Sequence, residues 1–147
     1  MRLLNFFKSL MLVVMALTVA TMTAANVDLH DAQAKAIQFM NSQPGSRMMA
    51  SSANLKLSYA EKSAVDAKAN AFYVFNATDG SAFVIISGDD RAEEVLGYGN
   101  YALDMNTIPS NMSWWLDQYK RQIEFLQENP TLKVMTPSQL NAGQLTL

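Results

Sequence analysis

The feature that most constrains this chain is a pair of apolar, β-prone runs separated by a turn. Phe72 to Asn76 (FYVFN) and Phe83 to Ile86 (FVII) flank Ala77-Thr78-Asp79-Gly80, and Asp-Gly is favoured where a hairpin turn demands positive φ. Both faces of Phe83–Ile86 are apolar, so this strand is expected in the sheet interior, covered on both sides. A further pleated segment, Val95 to Tyr98 (VLGY), follows the turn Ser87-Gly88-Asp89-Asp90, and Gly97 is expected at a bulge or a close backbone approach. Upstream, Leu55, Leu57 and Tyr59 alternate with Lys56 and Ser58, which predicts a half-buried strand. Ala60 to Asn70 reads as a polar loop or a short helical turn.

Two helices bracket these strands. Asp28 to Ser42 carries Leu29, Ala32, Ala36, Phe39 and Met40 at three- and four-residue spacing, with Asp28 as cap and Pro44-Gly45 as stop. His30 and Asp31 fall in its exposed first turn. The second helix starts at Ser110 or Asn111, after Ile108-Pro109, and runs to about Glu128, before Asn129-Pro130. Its core stripe is Met112, Trp115, Leu116, Tyr119, Ile123 and Leu126. Asp117 and Arg121 can pair one turn apart. Consecutive strands joined by short turns imply an antiparallel sheet of about four strands, and the two helices must cover it. The expected class is α+β.

With 147 residues, the chain fits one domain, and 50% hydrophobic with 16% charged residues suits a packed core. Three segments are expected: a signal peptide over 1–25, a folded domain over 26–129, and a C-terminal tail over 130–147 that is mobile unless it docks. The signal reading rests on Arg2 and Lys8, then the apolar run Leu10 to Ala20, then Thr23-Ala24-Ala25 with small residues at a cleavage site. The apolar run is shorter than the roughly 20 residues of a membrane span. The expected location is secreted or periplasmic, after cleavage near Ala25, with no stable membrane anchor.

The inventory of side chains excludes several functions. There is no cysteine, and His30 is the only histidine. A thiolate nucleophile, a disulfide framework and a cysteine zinc site are therefore impossible, and a serine–histidine site would have to be built on His30 alone. No phosphate loop and no nucleophile elbow is present. Without Arg2 and Lys8, nine basic residues face thirteen acidic ones, a net charge of −4, which argues against nucleic acid as a partner. The expectation is a protein that is not an enzyme and that uses no cofactor and no metal.

Two constellations invite a functional reading. Asp89, Asp90, Glu93 and Glu94 form an acidic cluster interrupted by Arg91. Their spacing does not alternate as calcium ligands do, and a solvated turn with local backbone bonds is expected. On the second helix, Trp114 and Phe125 lie away from the core stripe. Two large aromatics on an outer face suggest a partner contact, unless the C-terminal tail or the 46–54 loop covers them.

The run Phe72-Tyr73-Val74-Phe75-Asn76, Gly80, Phe83-Val84-Ile85-Ile86-Ser87-Gly88-Asp89-Asp90-Arg91 and Val95-Leu96-Gly97-Tyr98 resembles the prodomain of streptopain-family cysteine peptidases, a module also known as the Spi inhibitor domain. Ile108-Pro109-Ser110-Asn111-Met112, Trp115-Leu116-Asp117-Gln118-Tyr119 and Ile123-Glu124 continue the similarity, which covers about residues 28 to 128. The resemblance implies an antiparallel sheet with helices packed on it. It also implies a partner, a streptopain-like, papain-fold cysteine peptidase whose cleft the module covers and whose active-site histidine it disturbs. One loop supplies the blocking side chain in that family. The counterpart expected here is the Ala60–Asn70 loop, with Glu61, Lys62, Ser63, Val65 and Asp66 as inhibitory-loop candidates. One departure is visible: the family often has proline after the arginine, where this chain has Glu93-Glu94.

The expected function is an exported inhibitor, or propeptide-like folding assistant, of such a peptidase. The chain stops without a catalytic domain and carries its own signal, so a free-standing form is favoured over an isolated propiece. The alternative is an exported binding or surface-interaction module that reuses the prodomain fold without inhibiting.

Overall fold

The structure, a computed structural model, describes residues 25–43 and 54–132. The expected signal peptide, the linker around 46–54 and the tail beyond Leu132 lie almost wholly outside the described residues. The elements run α1 (Leu29–Ser42), β1 (Leu55–Lys62), β2 (Asn70–Ala77), β3 (Phe83–Ser87), β4 (Val95–Gly99) and α2 (Ser110–Glu128). The strands form one antiparallel sheet in sequence order, so β2 and β3 are interior and β1 and β4 are edges. This is the α+β architecture read from the sequence, with one addition: the two helices lie on opposite faces of the sheet.

Alternation along the interior strands creates the two cores. Tyr73, Phe75, Val84 and Ile86 face α1 and pack with Ala32, Ala36 and Met40. Phe72, Val74, Phe83 and Ile85 face α2 and pack with Leu116 and Ile123. Every residue of β3 is buried, as expected for a strand covered on both sides. The β2–β3 turn is closed by the Gly80 N–H donating to Ala77 O at 2.9 Å, and Gly80 sits at φ 74°, where a Cβ would be strained. Asp28 caps α1 through its side chain, which accepts from Asp31 N–H at 2.9 Å.

Bulges decide which side chain meets which helix. In β1, Leu57 pairs with Phe75 but Tyr59 pairs with Val74, so Ser58 is the extra residue. Leu55 and Leu57 face α1, whereas Tyr59 lies against Phe72 on the α2 side. Simple alternation places Tyr59 with the two leucines; the bulge at Ser58 reverses it. In β4 the extra residue is Leu96, next to Gly97, and it enters the α2 core. Gly97 itself has room for a Cβ, while at Gly99 a Cβ would stand 2.5 Å from the Phe83 ring.

Three further expectations are corrected. Trp115 does not join the core stripe of α2: it is 54% exposed and packs edge-on against Tyr119 at 5.2 Å. Leu29 is likewise exposed, at the outer end of α1. The segment Ala60 to Asn70 is not wholly a loop, because Ala60, Glu61 and Lys62 extend β1 and Asn70 opens β2.

Candidate functional site

The acidic cluster is not a solvated turn. Asp89 is fully buried, and Arg91 grips it with a two-pronged hydrogen bond, Nε to Oδ1 at 2.9 Å and the terminal nitrogen to Oδ2 at 2.7 Å. A carboxylate moved out of water is tolerable only with such a partner. The hydrogen bonds that Arg91 donates to Asp89 raise its pKa, outweighing its partial burial. The same guanidinium donates to the carbonyls of Leu126 and, at 2.9 Å, Asn129 at the end of α2, each of which also accepts a backbone N–H. Asp90 and Glu94 turn outward and hold Lys35 of α1 at 2.7 and 3.1 Å.

This corner also fastens the start of the described chain. Val27 N–H donates to Gly88 O at 2.9 Å, Asp90 N–H donates to Ala25 O at 2.8 Å, and Val27 is buried. A Cβ on Gly88 would stand 1.9 Å from the Asn70 carbonyl oxygen, so only glycine allows that approach. The Ser87–Arg91 motif therefore ties together the N-terminal segment, the β3–β4 turn and the end of α2. Among the described residues no group of three or more His, Cys, Asp or Glu could hold a metal ion.

The five loop candidates separate in space. Glu61 is in β1 and points under α2, where Lys120 and the Tyr59 hydroxyl both donate to it. Burial disfavours its charge, yet those two hydrogen bonds and the lysine charge prevail and lower its pKa. The bond to Glu61, with burial, pushes the Tyr59 phenol up to about 12. Lys62, at the end of β1, is exposed. Ser63 is buried, and its hydroxyl accepts from Val65 and Asp66 N–H, both at 3.2 Å, making a tight turn. Asp66 is half-buried and accepts from Asn26 Nδ2 at 3.0 Å and from Lys68 N–H at 2.9 Å. Only Val65, 41% exposed, projects as an apolar tip.

The loop is braced against α2. Ala64 N–H donates to Glu124 Oε1 at 2.8 Å. Neither Glu124 nor Lys120 was a candidate in the sequence, since no local pattern links them to residues 50 or more positions away. Trp114 and Phe125 stand outside the core as expected, 63% and 56% exposed. Phe125 borders an apolar groove with Tyr119, Leu126, Ala92 and Leu132, on the side of α2 away from Glu61.

Three comparisons place this geometry among known proteins. The Spi protease inhibitor family model matches residues 24–123, which includes all four strands and most of both helices. The thiol protease/hemagglutinin PrtT of Porphyromonas gingivalis is 33% identical over 88 residues, covering 58% of this chain and 10% of that protein. The chain thus spans about a tenth of that relative's length. No solved structure matches it. The family match over residues 24–123 spans more than half of the chain, and it carries one assignment: this protein belongs to the Spi protease inhibitor family.

Proposed function

We propose that the chain is an exported inhibitor of a streptopain-like cysteine peptidase, acting by covering the active-site cleft. Membership of a protease-inhibitor family carries the coarser role, protease inhibitor or propeptide-like module, and points to a non-catalytic protein. The relative's name, a thiol protease, points to a cysteine peptidase as partner. Export is supported by the signal-like first 25 residues, and no helix among the described residues is long and apolar enough to cross a membrane.

The side chain best placed to enter a cleft is Val65. Ser63 and Asp66 spend their polar atoms on shaping the turn, Glu61 is engaged by Lys120, and Glu124 holds the loop against the helix. A loop fixed before binding loses little conformational entropy when it docks, which favours tight association. Nanomolar inhibition corresponds to about −12 kcal/mol. The test is titration of a streptopain-like peptidase with the chain from Asn26 to Leu147. Stoichiometric inhibition that weakens at least tenfold in Val65→Asp supports the reading. No inhibition and no complex at micromolar concentrations would leave the alternative, an exported interaction module.

A further inference from the structure

Between α2 and the turn before β4 runs a groove of about 370 Å³, within the ~300–1,000 Å³ of clefts that hold ligands. Ala92, Tyr119, Leu126 and Leu132 line it, with Phe125 and Glu93 at its rim. α2 gives it no charged side chain, and Arg121 lies about 140° round the helix from Leu126. Phe125 and Leu132 are 56% and 40% exposed, so apolar surface of the groove faces water. The structure marks an occupant. Past the end of α2 at Glu128 the chain turns back on itself. Leu132 N–H donates to Asn129 O at 3.0 Å, and Arg91 Nη1 donates to Leu132 O at 3.4 Å. Leu132 thereby shares the groove with Phe125 and Leu126 of the last helical turn. The chain leaves the described residues from inside the groove, already directed back along α2.

We infer that Lys133, Val134 and Met135, which lie outside the described residues, fill this groove as an extended segment running antiparallel to α2. From Leu126 to Tyr119 the helix rises about 10 Å, a distance that roughly three extended residues cover. Side chains of an extended segment alternate, so Val134 follows Leu132 into the groove and Lys133 turns to its rim. Glu93 stands at that rim, exposed and without an ion pair among the described residues. Lys133 is the one charged residue between Leu132 and Leu147, and its sign is opposite. The choice of the chain's own segment over a separate molecule follows from connectivity. A site joined directly to its ligand sees it at roughly millimolar effective concentration, so a contact too small to hold a free partner is held here.

The experiment is cysteine trapping in the chain from Asn26 to Leu147, which has no cysteine of its own. In oxidised glutathione, Gln122→Cys with Met135→Cys should close a disulfide within one chain. It should do so about tenfold faster or more than Lys56→Cys with Met135→Cys, whose partner lies on the opposite edge strand. Val134→Asp should remove most of that advantage. Glu93→Lys should slow trapping about threefold, as expected for an exposed ion pair, and Lys133→Glu added to it should restore the rate. Gln122, Glu93 and Lys56 are exposed, and the other positions lie outside the described residues, so these changes leave the core intact. Trapping no faster than the control overturns the inference. So does trapping that Val134→Asp leaves unchanged. A disulfide formed only between chains, at a rate that rises with protein concentration, overturns it too and assigns the groove to a second copy. None of these readouts involves a peptidase, so this inference and the inhibitory reading fail independently.

Discussion

Arg91 is the residue on which distant parts of the chain converge. Its guanidinium neutralises the buried Asp89 carboxylate and closes the end of α2. Arg91→Ala leaves a buried charge without a partner and should cost about 3–5 kcal/mol, measured by urea unfolding. That is a large share of the ~5–15 kcal/mol by which a domain of this kind is stable. Arg91→Lys keeps the charge but not the two-pronged geometry, and should fall between. Glu61 predicts a pH dependence. Its carboxyl is lowered in the folded state, so its contribution is present above the ordinary carboxylate range and is lost as pH falls through the lowered value. Lys120 is raised, chiefly by its hydrogen bond to Glu61, so the pair's contribution on that side is complete below the ordinary lysine value and is lost as pH rises past it. Tyr59, with its phenol held up to about 12, should ionise well after the free residue, and folding stability should drop as pH climbs from about 10. Glu61→Gln should flatten the acid limb of the stability profile and bring the Tyr59 absorbance titration back toward that of a free tyrosine.

At the scale of elements, the bulge at Ser58 has a consequence that length alone hides. Ser58 is supernumerary: residues on either side of it already pair in order with Phe75 and Val74. Deleting Ser58 should restore a regular ladder, keep Leu57 toward α1 and Tyr59 toward α2, and change stability by no more than about 1 kcal/mol beyond the bond lost from Asn76. Deleting Ala60 instead moves Glu61 to the α1 face, where no lysine awaits it. That variant should lose several kcal/mol or fail to fold, because a carboxylate is driven against an apolar core. Paired thermal melts of the two deletions decide the matter.

For the whole molecule, the start of the described chain matters. Val27 is buried and joined to Gly88, its carbonyl accepts from the Tyr73 hydroxyl at 2.8 Å, and Asn26 bridges to Asp66. A chain beginning at Asn26 keeps all of these contacts. A chain beginning at Leu29 loses the valine side chain, worth about 1.5–3 kcal/mol of burial, and leaves the Tyr73 hydroxyl without its acceptor. It also loses the Asp28 cap, at about 1 kcal/mol. The Leu29 form should melt well below the Asn26 form, as measured by paired thermal melts.

The hairpin, both helices with their ends, the Asp28 cap and the exposed Trp114 and Phe125 were legible in the residues themselves. Each is set by periodicity or turn chemistry acting within a few positions. The family was legible too, in the block from Phe83 to Tyr98. What that block does was not. Asp89 reads as a surface acid until the N-terminal segment closes over it and the end of α2 is brought to Arg91. Tyr59 and Glu61 change faces through a bulge that no alternation announces, and Trp115 stays exposed against Tyr119 instead of joining the core. Local spacing fixes which elements form. Which face each residue finally shows depends on register and on partners up to 60 positions away, and only the packed structure supplies those.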